Sequence, residues 1–201
     1  MESLDGHVAN STEYQALEEK GFLFLEKLLP FSICDHLAKV SRQRKLKARK
    51  FGEFDTPDRG GFGEYGHPLF DHLLLTLLPT VESVVGTNVL PTYSYYRYYE
   101  HGDYLKKHTD RSACQFSLSL CLGSDGRYDW PLWFHLKDGL DVPLVTKTSC
   151  GVLYLGEQVS HSRLQFNGSW QSQVFLHYIR KDHPRANELV FDGRSELGIP
   201  R

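Results

Sequence analysis

The chain has 201 residues and an ordinary globular composition, which predicts one domain that is long enough to bury a core. Its formal net charge is −2, so no overall field points to nucleic acid as a partner. The sequence has no long uncharged apolar stretch and no basic, apolar leader, so we expect no membrane span and no secretory signal.

The cysteines also indicate a protein that is not secreted. The chain has four cysteines without C-x-x-C spacing: Cys34, Cys114, Cys121 and Cys150. We therefore expect reduced thiols in an intracellular, cytoplasmic protein. The composition leaves the oligomeric state open. We expect the single domain, residues 1–201, to divide into a loose tail (1–13), helices with a loop (14–88), a strand-rich core (89–180) and a C-terminal extension (181–201).

The N-terminal part is predicted to be mainly helical. The apolar run Gly21–Glu26 predicts a first strand, and apolar residues at helical spacing predict helices over Phe31–Lys45 and Leu69–Val85. The first helix ends in a run of cations. This run suits either a patch for phosphates or an acidic partner, or a solvated helix end whose charges complement the helix dipole.

A segment rich in glycine and aromatic residues, Phe51–Pro68, separates the two helices. Its five glycines and two prolines argue against regular structure. Such a segment is long for a simple connection. It suits either a mobile lid, with Phe62 and Tyr65 contacting a substrate, or an ordinary surface loop.

Strands dominate from Val89 onward. Tyr93, Tyr95, Arg97 and Tyr99 share one face of the first long strand, because alternate residues of a strand point the same way. Further strands are predicted from alternation or short apolar runs, at Gln115–Leu122, Trp130–Leu136, Leu144-Val145, Val152–Leu155 and Ser172–Ile179. Helices followed by closely spaced strands predict an α+β fold, a sandwich or barrel with helices on one outside face.

The triplet His108-Thr109-Asp110 is the strongest indication of chemistry. In an extended segment, His108 and Asp110 can aim a ring nitrogen and a carboxylate oxygen at one point. A second histidine completes a 2-His-1-carboxylate metal site, and His161 is the leading candidate. His177 is its rival, although a core histidine or a substrate contact fits that position as well. The alternative for His108 and Asp110 is a surface ion pair.

The order of these residues resembles a known family. A Tyr/Arg-rich strand, Gly102, the H-x-D triplet, several strands, the G-x-x-Y-x-G of residues 151–156 and a distal histidine follow one another. This order resembles the Fe(II)/2-oxoglutarate dioxygenases, in particular their prolyl-4-hydroxylase-like branch, over Leu90–Ile179. The resemblance implies a double-stranded β-helix (jelly-roll) core. It also implies His108, Asp110 and His161 as ligands of a catalytic Fe(II).

The resemblance further implies the reaction. Such enzymes use 2-oxoglutarate and molecular oxygen, form succinate and CO₂, and hydroxylate an unactivated C–H bond. A small molecule, an amino acid or a peptide is then the expected substrate, with ascorbate as a further cofactor that the resemblance allows. The resemblance names no nucleic acid or membrane partner.

One feature departs from the family. A basic residue some nine to twelve positions past the distal histidine normally grips the far carboxylate of 2-oxoglutarate, but here the window is Trp170–Gln173. A fixed cation holds a carboxylate more strongly than a neutral amide does. We expect Arg163 to take this role, with Arg97 next. The remaining candidates are Tyr99 or Tyr98 as hydroxyl donors, Gln173 as a secondary donor, and Arg111.

Two other classes of function remain open at this stage. The missing basic residue suits a non-catalytic β-barrel binding protein with a vestigial metal site. A zinc hydrolase or a cupin-type dioxygenase would also accept two histidines and a carboxylate.

Overall fold

The computed structural model describes residues 12–51 and 61–199, which form four α-helices and ten β-strands. The helices are α1 (Thr12–Lys20), α2 (Phe31–Phe51), α3 (Pro68–Val85) and α4 (Ala186–Leu189). The strands are β1 (Phe22–Leu25), β2 (Phe62–Tyr65), β3 (Val89–Glu100), β4 (Leu105–His108), β5 (Phe116–Ser124), β6 (Leu132–His135), β7 (Asp141–Leu144), β8 (Gly151–Tyr154), β9 (Ser160–Arg163) and β10 (Trp170–Arg180). A short 3-10 turn, Val190–Gly193, follows α4.

The strands form two antiparallel sheets. The larger sheet has the order β1-β8-β5-β10-β3-β2, and the smaller has the order β4-β9-β6-β7. Aromatic side chains join their facing surfaces: Phe134 of β6 stacks on Phe22 of β1, with ring centroids 4.7 Å apart, and lies against Tyr154 of β8 at 5.4 Å. The α+β class predicted from the sequence is confirmed.

The alternation along β5 explains why one face of the larger sheet binds helices. Leu118 and Leu120 are completely buried in the main apolar cluster, together with Leu37 of α2 and Leu74 of α3. Burying such side chains against a second layer is what stabilises a one-sided sheet. The alternate residues of β5, which include Ser117, face the opposite way, into the space between the sheets.

Helix α3 is both long and apolar. By length and composition it could cross a membrane, since its mean hydropathy over 18 residues is 1.3. Eight of its residues are buried, among them Phe70, Leu74 and Val81, and Leu74 accepts a hydrogen bond from Tyr178 Oη at 3.0 Å. These contacts with the sheet are those of a core helix.

Helix α2 extends beyond its predicted end at Lys45, as far as Phe51. Within the extension, Arg49 forms an ion pair with Glu100 of β3, and two residues just before it also bind the sheet. Arg44 Nη2 lies 2.7 Å from Glu64 of β2, and Lys45 Nζ lies 2.9 Å from Glu100 of β3. Part of the basic run therefore binds the sheet instead of facing solvent.

The predicted tail and lid fall partly outside the described residues. Residues 1–11 and 52–60 are not described. Within the described chain, Thr12 begins a helix that the sequence had not indicated, and β2 pairs with β3 between Phe62 and Tyr65. Phe62 lies edge-on to Tyr96 at 6.2 Å, whereas Tyr65 lines the large cavity described below. The lid remains a prediction.

Candidate metal centre and adjoining cavity

Two neighbouring strands bring the two histidines together. His108 of β4 lies directly opposite His161 of β9, and their ring centroids are 4.4 Å apart. The next pair along the two strands is Leu105 and Arg163. Leu105 is three residues from His108 but Arg163 is only two from His161, so β4 carries a bulge just before His108. Bulges often re-aim a side chain next to a functional site.

Backbone carbonyls fix the tautomer of each ring. The Nδ1 of His108 lies 2.7 Å from the Lys106 carbonyl oxygen, and the Nδ1 of His161 lies 3.1 Å from the Val159 carbonyl oxygen. A carbonyl can only accept, so each Nδ1 carries the proton and donates it. Each Nε2 then keeps its lone pair, which is how ligating histidines are usually held.

Asp110 completes the group. Its Oδ1 lies 3.5 Å from His108 Nε2 and 3.6 Å from His161 Nε2. Ligands roughly 2.1 Å from one divalent ion, at right angles, lie about 3 Å apart, so a small contraction would bring these three atoms to a metal. The Asp110 backbone N–H also donates to the Gly156 carbonyl at 2.9 Å, which ties the loop after β4 to the loop after β8.

The electrostatics suit a cation. Burial by itself would raise the pKa of Asp110, but its neighbours His108, His177 and His161 and the Ser117 hydroxyl stabilise the carboxylate and lower this pKa to about 2. Burial lowers the pKa of His161, against the attraction of Asp110. At neutral pH the group therefore presents the Asp110 carboxylate and a neutral His161 imidazole, next to the free Nε2 lone pair of His108. This donor set fits Fe(II) and leaves open coordination positions.

Gly156 shows how closely the loops approach one another. A Cβ at this position would lie 2.4 Å from the Cys114 carbonyl oxygen and 2.6 Å from both Asp110 Oδ2 and Ser117 Oγ. Only glycine fits here, which accounts for the last residue of the G-x-x-Y-x-G pattern.

His177, the rival histidine, lies on the far side of Asp110. It forms a second possible ligand group with Asp110 and Cys114. Its Nδ1 is 2.9 Å from Ser117 Oγ, and the Cys114 Sγ is 3.1 Å from Tyr93 Oη. Burial raises the pKa of the Cys114 thiol well above its usual range, so it stays protonated, and a thiol is a poor ligand. The first group is therefore the better metal site.

A cavity of about 1060 Å³ opens beside the three ligands. Aromatic and basic side chains dominate its walls. The lining residues besides the ligands and His177 are Tyr65, Tyr93, Tyr95, Arg97, Tyr104, Leu105, Lys106, Lys107, Thr109, Arg111, Tyr154 and Phe175. Four of these are cations, and Asp110 is the one carboxylate among all the described lining residues.

The two leading cosubstrate candidates are both buried. Arg163 is 2% exposed; its guanidinium carbon lies 4.7 Å from the Trp130 ring centroid, and its Nη1 donates to the Trp130 carbonyl at 2.6 Å. Its Nε and Nη2 have no hydrogen-bond partner among the described residues. Arg97, also 2% exposed, lies in the cavity wall, at the position on β3 opposite Gln173.

Polar atoms near Arg163 are also unpaired. Tyr99 Oη and Gln171 Nε2 are buried without a partner in the described part of the chain, and Tyr99 lies directly opposite Gln171 in the sheet. Burial lowers the pKa of Arg163, and nearby Tyr99 and Cys121 act in the opposite direction. A buried cation with unpaired donors around it fits an anionic ligand.

Three other candidates are less suitably placed. Tyr98 points to the opposite face of β3, where its ring stacks on Trp170 at 5.9 Å with an interplanar angle of 1°. Tyr98 therefore lies on the face of β3 opposite the cavity-lining Tyr95 and Arg97, because neighbouring strand residues face opposite ways. Gln173 Nε2 donates to Thr146 Oγ1 at 3.4 Å. Arg111 makes two bonds with Asp192, at 2.6 and 2.7 Å.

The sequence did not reveal Ser117, which bonds both Asp110 and His177. Its signal is weak: Ser117 lies on the polar face of an alternating strand, as do Ser119 and Cys121. Only the pairing of β5 with β10, which sets Ser117 opposite His177, distinguishes it from its neighbours.

Comparison with known proteins supports the fold. The two sheets and the converging His/Asp/His group define a β-sandwich protein with a candidate metal centre. A Pseudomonas putida prolyl-4-hydroxylase is 19% identical with a TM-score of 0.66, over 83% of this chain and 96% of that one. An oxidoreductase of the 2OG-Fe(II) oxygenase family from Burkholderia pseudomallei is 14% identical with a TM-score of 0.63, over 94% and 97%.

A third similar structure holds a cosubstrate. EctD from S. alaskensis, with 2-oxoglutarate and 5-hydroxyectoine, is 13% identical with a TM-score of 0.62, over 89% of this chain and 79% of that one. No protein-family model and no curated protein sequence matches the chain. The chain therefore has the fold of the 2OG-Fe(II) oxygenases, including that of prolyl-4-hydroxylases.

Proposed function

We propose that this protein is a non-haem Fe(II) oxygenase that uses 2-oxoglutarate and molecular oxygen to hydroxylate an unactivated C–H bond. The observation that carries the proposal is the convergence of His108 Nε2, His161 Nε2 and Asp110 Oδ1, held by surrounding hydrogen bonds, beside a large cavity. The fold supports it, and we assign the core to the double-stranded β-helix type. Bound Fe(II) would supply the activation of oxygen for attack on a C–H bond.

The chain's own residues then have defined tasks. His108, Asp110 and His161 hold the metal and leave positions open for ligands. Asp110 occupies the position that chloride would need in a halogenating relative, so we expect an oxidised and not a chlorinated product. The aromatic walls, among them Tyr95 and Phe175, would exclude water from the reacting bond.

We assign the far carboxylate of 2-oxoglutarate to Arg163. Its Nε and Nη2, with Tyr99 Oη and Gln171 Nε2, offer four buried donor positions that have no partner in the described structure. An anion in this position would satisfy all of them, which is the usual state of buried polar groups. Gln171 is a better neutral donor than Gln173, because the Gln173 amide nitrogen already bonds Thr146.

The substrate is proposed as a small molecule, amino acid or peptide. The cavity adjoining the metal group has the size of a small-molecule site. Its cations, including Lys106 and Lys107 at the rim, favour a substrate with a negative charge. We place the protein in the cytoplasm, on the basis of its four free cysteines.

Metal binding and oxygen use test the proposal together. The wild type should bind Fe(II), consume oxygen only when 2-oxoglutarate is present, and form succinate. His161→Ala should abolish metal binding, whereas His135→Ala, a change at another partly buried histidine, should not. Metal binding without any 2-oxoglutarate turnover would favour the vestigial binding protein, and activity with Zn(II) would favour a hydrolase.

A further inference from the structure

The two oxygens of the Asp110 carboxylate lie in different environments. Oδ1 faces His108 and His161, while Oδ2 accepts a hydrogen bond from Ser117 Oγ at 2.8 Å. Ser117 is completely buried, and the Asp110 side chain is 13% exposed. Water is therefore poorly placed to replace this bond.

His177 determines the direction of that bond. Its Nδ1 lies 2.9 Å from the same Ser117 oxygen. A hydroxyl has one proton, and since Ser117 gives it to the carboxylate, its oxygen must accept from His177. His177 therefore carries its proton on Nδ1 and donates to Ser117. The order of donors runs from His177 through Ser117 to Asp110.

The sheet holds both residues of this chain of bonds rigidly. Ser117 of β5 and His177 of β10 are directly paired in the central strands of the larger sheet. The Tyr93 ring lies against the His177 imidazole, with centroids 4.4 Å apart. Opposite His177, β3 carries a bulge at Thr92 and Tyr93. The Thr92 hydroxyl lies between two carbonyl oxygens, at 2.7 Å from that of Ala113 and 3.0 Å from that of His177. The imidazole has little freedom to turn.

We propose that Ser117 and His177 are positioning residues that hold Asp110 as a single-oxygen ligand. Because Oδ2 is occupied by Ser117, the carboxylate cannot rotate to give the metal both oxygens. One coordination position then stays open that a two-oxygen carboxylate would fill. The inference rests on the proposed function, since it assigns a role toward the same metal.

Ser119 provides a matched control. It lies two residues after Ser117 on the same face of β5, it is also completely buried, and its hydroxyl has no hydrogen-bond partner among the described residues. Ser117→Ala and Ser119→Ala thus remove the same atom from similar surroundings. Only the first removes a bond to Asp110.

The experiment uses Co(II) alone, whose visible absorption reports both affinity and coordination geometry. Ser117→Ala should weaken Co(II) binding by about tenfold to a hundredfold, the usual effect of losing a partner that orients a ligand, and should alter the absorption band. Ser119→Ala should leave both unchanged. Equal affinities and spectra for the two variants would overturn the proposal.

Two variants at His177 keep the test decisive if Ser117→Ala does not fold. His177→Asn places an amide N–H near the position of Nδ1. This variant should retain most of the affinity for Co(II) and the wild-type spectrum. His177→Leu lacks the donor and should behave like Ser117→Ala. If both His177 variants match the wild type in Co(II) affinity and spectrum, the bonds from His177 through Ser117 do not position Asp110.

The metal site and the positioning role of Ser117 can be disproved separately. If the wild type binds Co(II) and His108→Ala abolishes that binding, the metal site stands whatever Ser117 does. If the wild type does not bind Co(II) through His108, both the metal assignment and this inference are wrong.

Discussion

His161 and Arg163 are two residues apart on β9, and both side chains enter the space between the sheets. His161 meets Asp110, while Arg163 meets Trp130 and lies near Tyr99. One short strand of four residues thus supplies a proposed metal ligand and a proposed cosubstrate anchor. In this proposal Arg163 takes the place of the basic residue that is missing at the usual position on β10.

The anchor can be tested by affinity. Arg163→Ala should weaken 2-oxoglutarate binding to the metal-loaded protein by about a hundredfold or more, because losing one partner of a buried charge pair costs roughly 3–5 kcal/mol. Gln173→Ala removes at most a neutral hydrogen bond and should cost about 0.5–1.5 kcal/mol. Calorimetric titration measures both. If Arg163→Ala binds normally, Arg97 becomes the anchor.

The buried imidazole of His177 predicts a pH effect on stability. Burial lowers its pKa from 6.5 to about 4, against the attraction of Asp110. Between these values the unfolded chain binds a proton at this residue and the folded chain does not. Above pH 6.5, neutral His177 therefore makes its full contribution to the free energy of unfolding. This contribution decreases by about 3 kcal/mol as the pH falls to 4.

Denaturant unfolding of the metal-free protein at several pH values measures this contribution. The difference between wild type and His177→Asn should change by about 3 kcal/mol across the interval, since the variant has no group that titrates there. If the free energies of unfolding of the two proteins change in parallel with pH, protonation of His177 does not lower the stability.

The C-terminal elements bind two residues that line the cavity. In the turn Val190–Gly193, Asp192 binds both Arg111, the residue after the metal-binding aspartate, and Tyr65 Oη at 2.5 Å. Asp192 has a φ of +57°, a conformation that such contacts hold in place. A second link follows at Arg194, whose Nη1 lies 2.7 Å from Asp71 of α3.

This second link should be important for stability. The Arg194 and Asp71 side chains are 3% and 1% exposed, and Asp71 also accepts from Ser94 Oγ at 2.7 Å. Asp71→Ala leaves the buried Arg194 guanidinium without its carboxylate partner and should lower the free energy of unfolding by about 3–5 kcal/mol. Hydrogen exchange over residues 186–199 should also become faster.

Arg185→Ala is the control within the same segment, because its bond to Glu188 lies on the surface. It should change neither the stability nor the exchange. An Asp71→Ala protein as stable as the wild type would mean that Arg194 reaches solvent.

At the scale of the whole molecule, two sheets enclose a cavity whose rim is basic. Lys106 and Lys107 belong to β4, which is an edge strand of the smaller sheet, and both are exposed. Positive charge around a cavity attracts anions and speeds their association. The overall charge of −2 gives no indication of this local field.

Stopped-flow binding of 2-oxoglutarate tests the field. The association rate should fall as salt is raised from about 0.01 M to 0.15 M, because the Debye length shortens from about 30 to 8 Å. Replacing both Lys106 and Lys107 by serine should slow association about tenfold at low salt and weaken the salt dependence. Lys39→Ser, on the exposed face of α2, should have no effect. If the wild type and the double serine variant associate at the same rate at every salt concentration, β4 does not steer 2-oxoglutarate.

Sequence alone determined what depends on local periodicity and spacing. Alternation along β5 gave its two faces, helical spacing gave α3, and the H-x-D triplet indicated His108 and Asp110 as candidate ligands. The family resemblance added His161. These signals are local because a strand or helix repeats its side-chain direction every few residues.

Tertiary structure decided what depends on pairing between strands. The choice between Tyr98 and Tyr99, the entry of Arg163 beside Trp130, and the bond from His177 through Ser117 all follow from registers and bulges that join distant segments. A one-residue change of register would turn each of these side chains to the opposite face. No single segment carries that information, because it arises only when the two sheets close around the metal group.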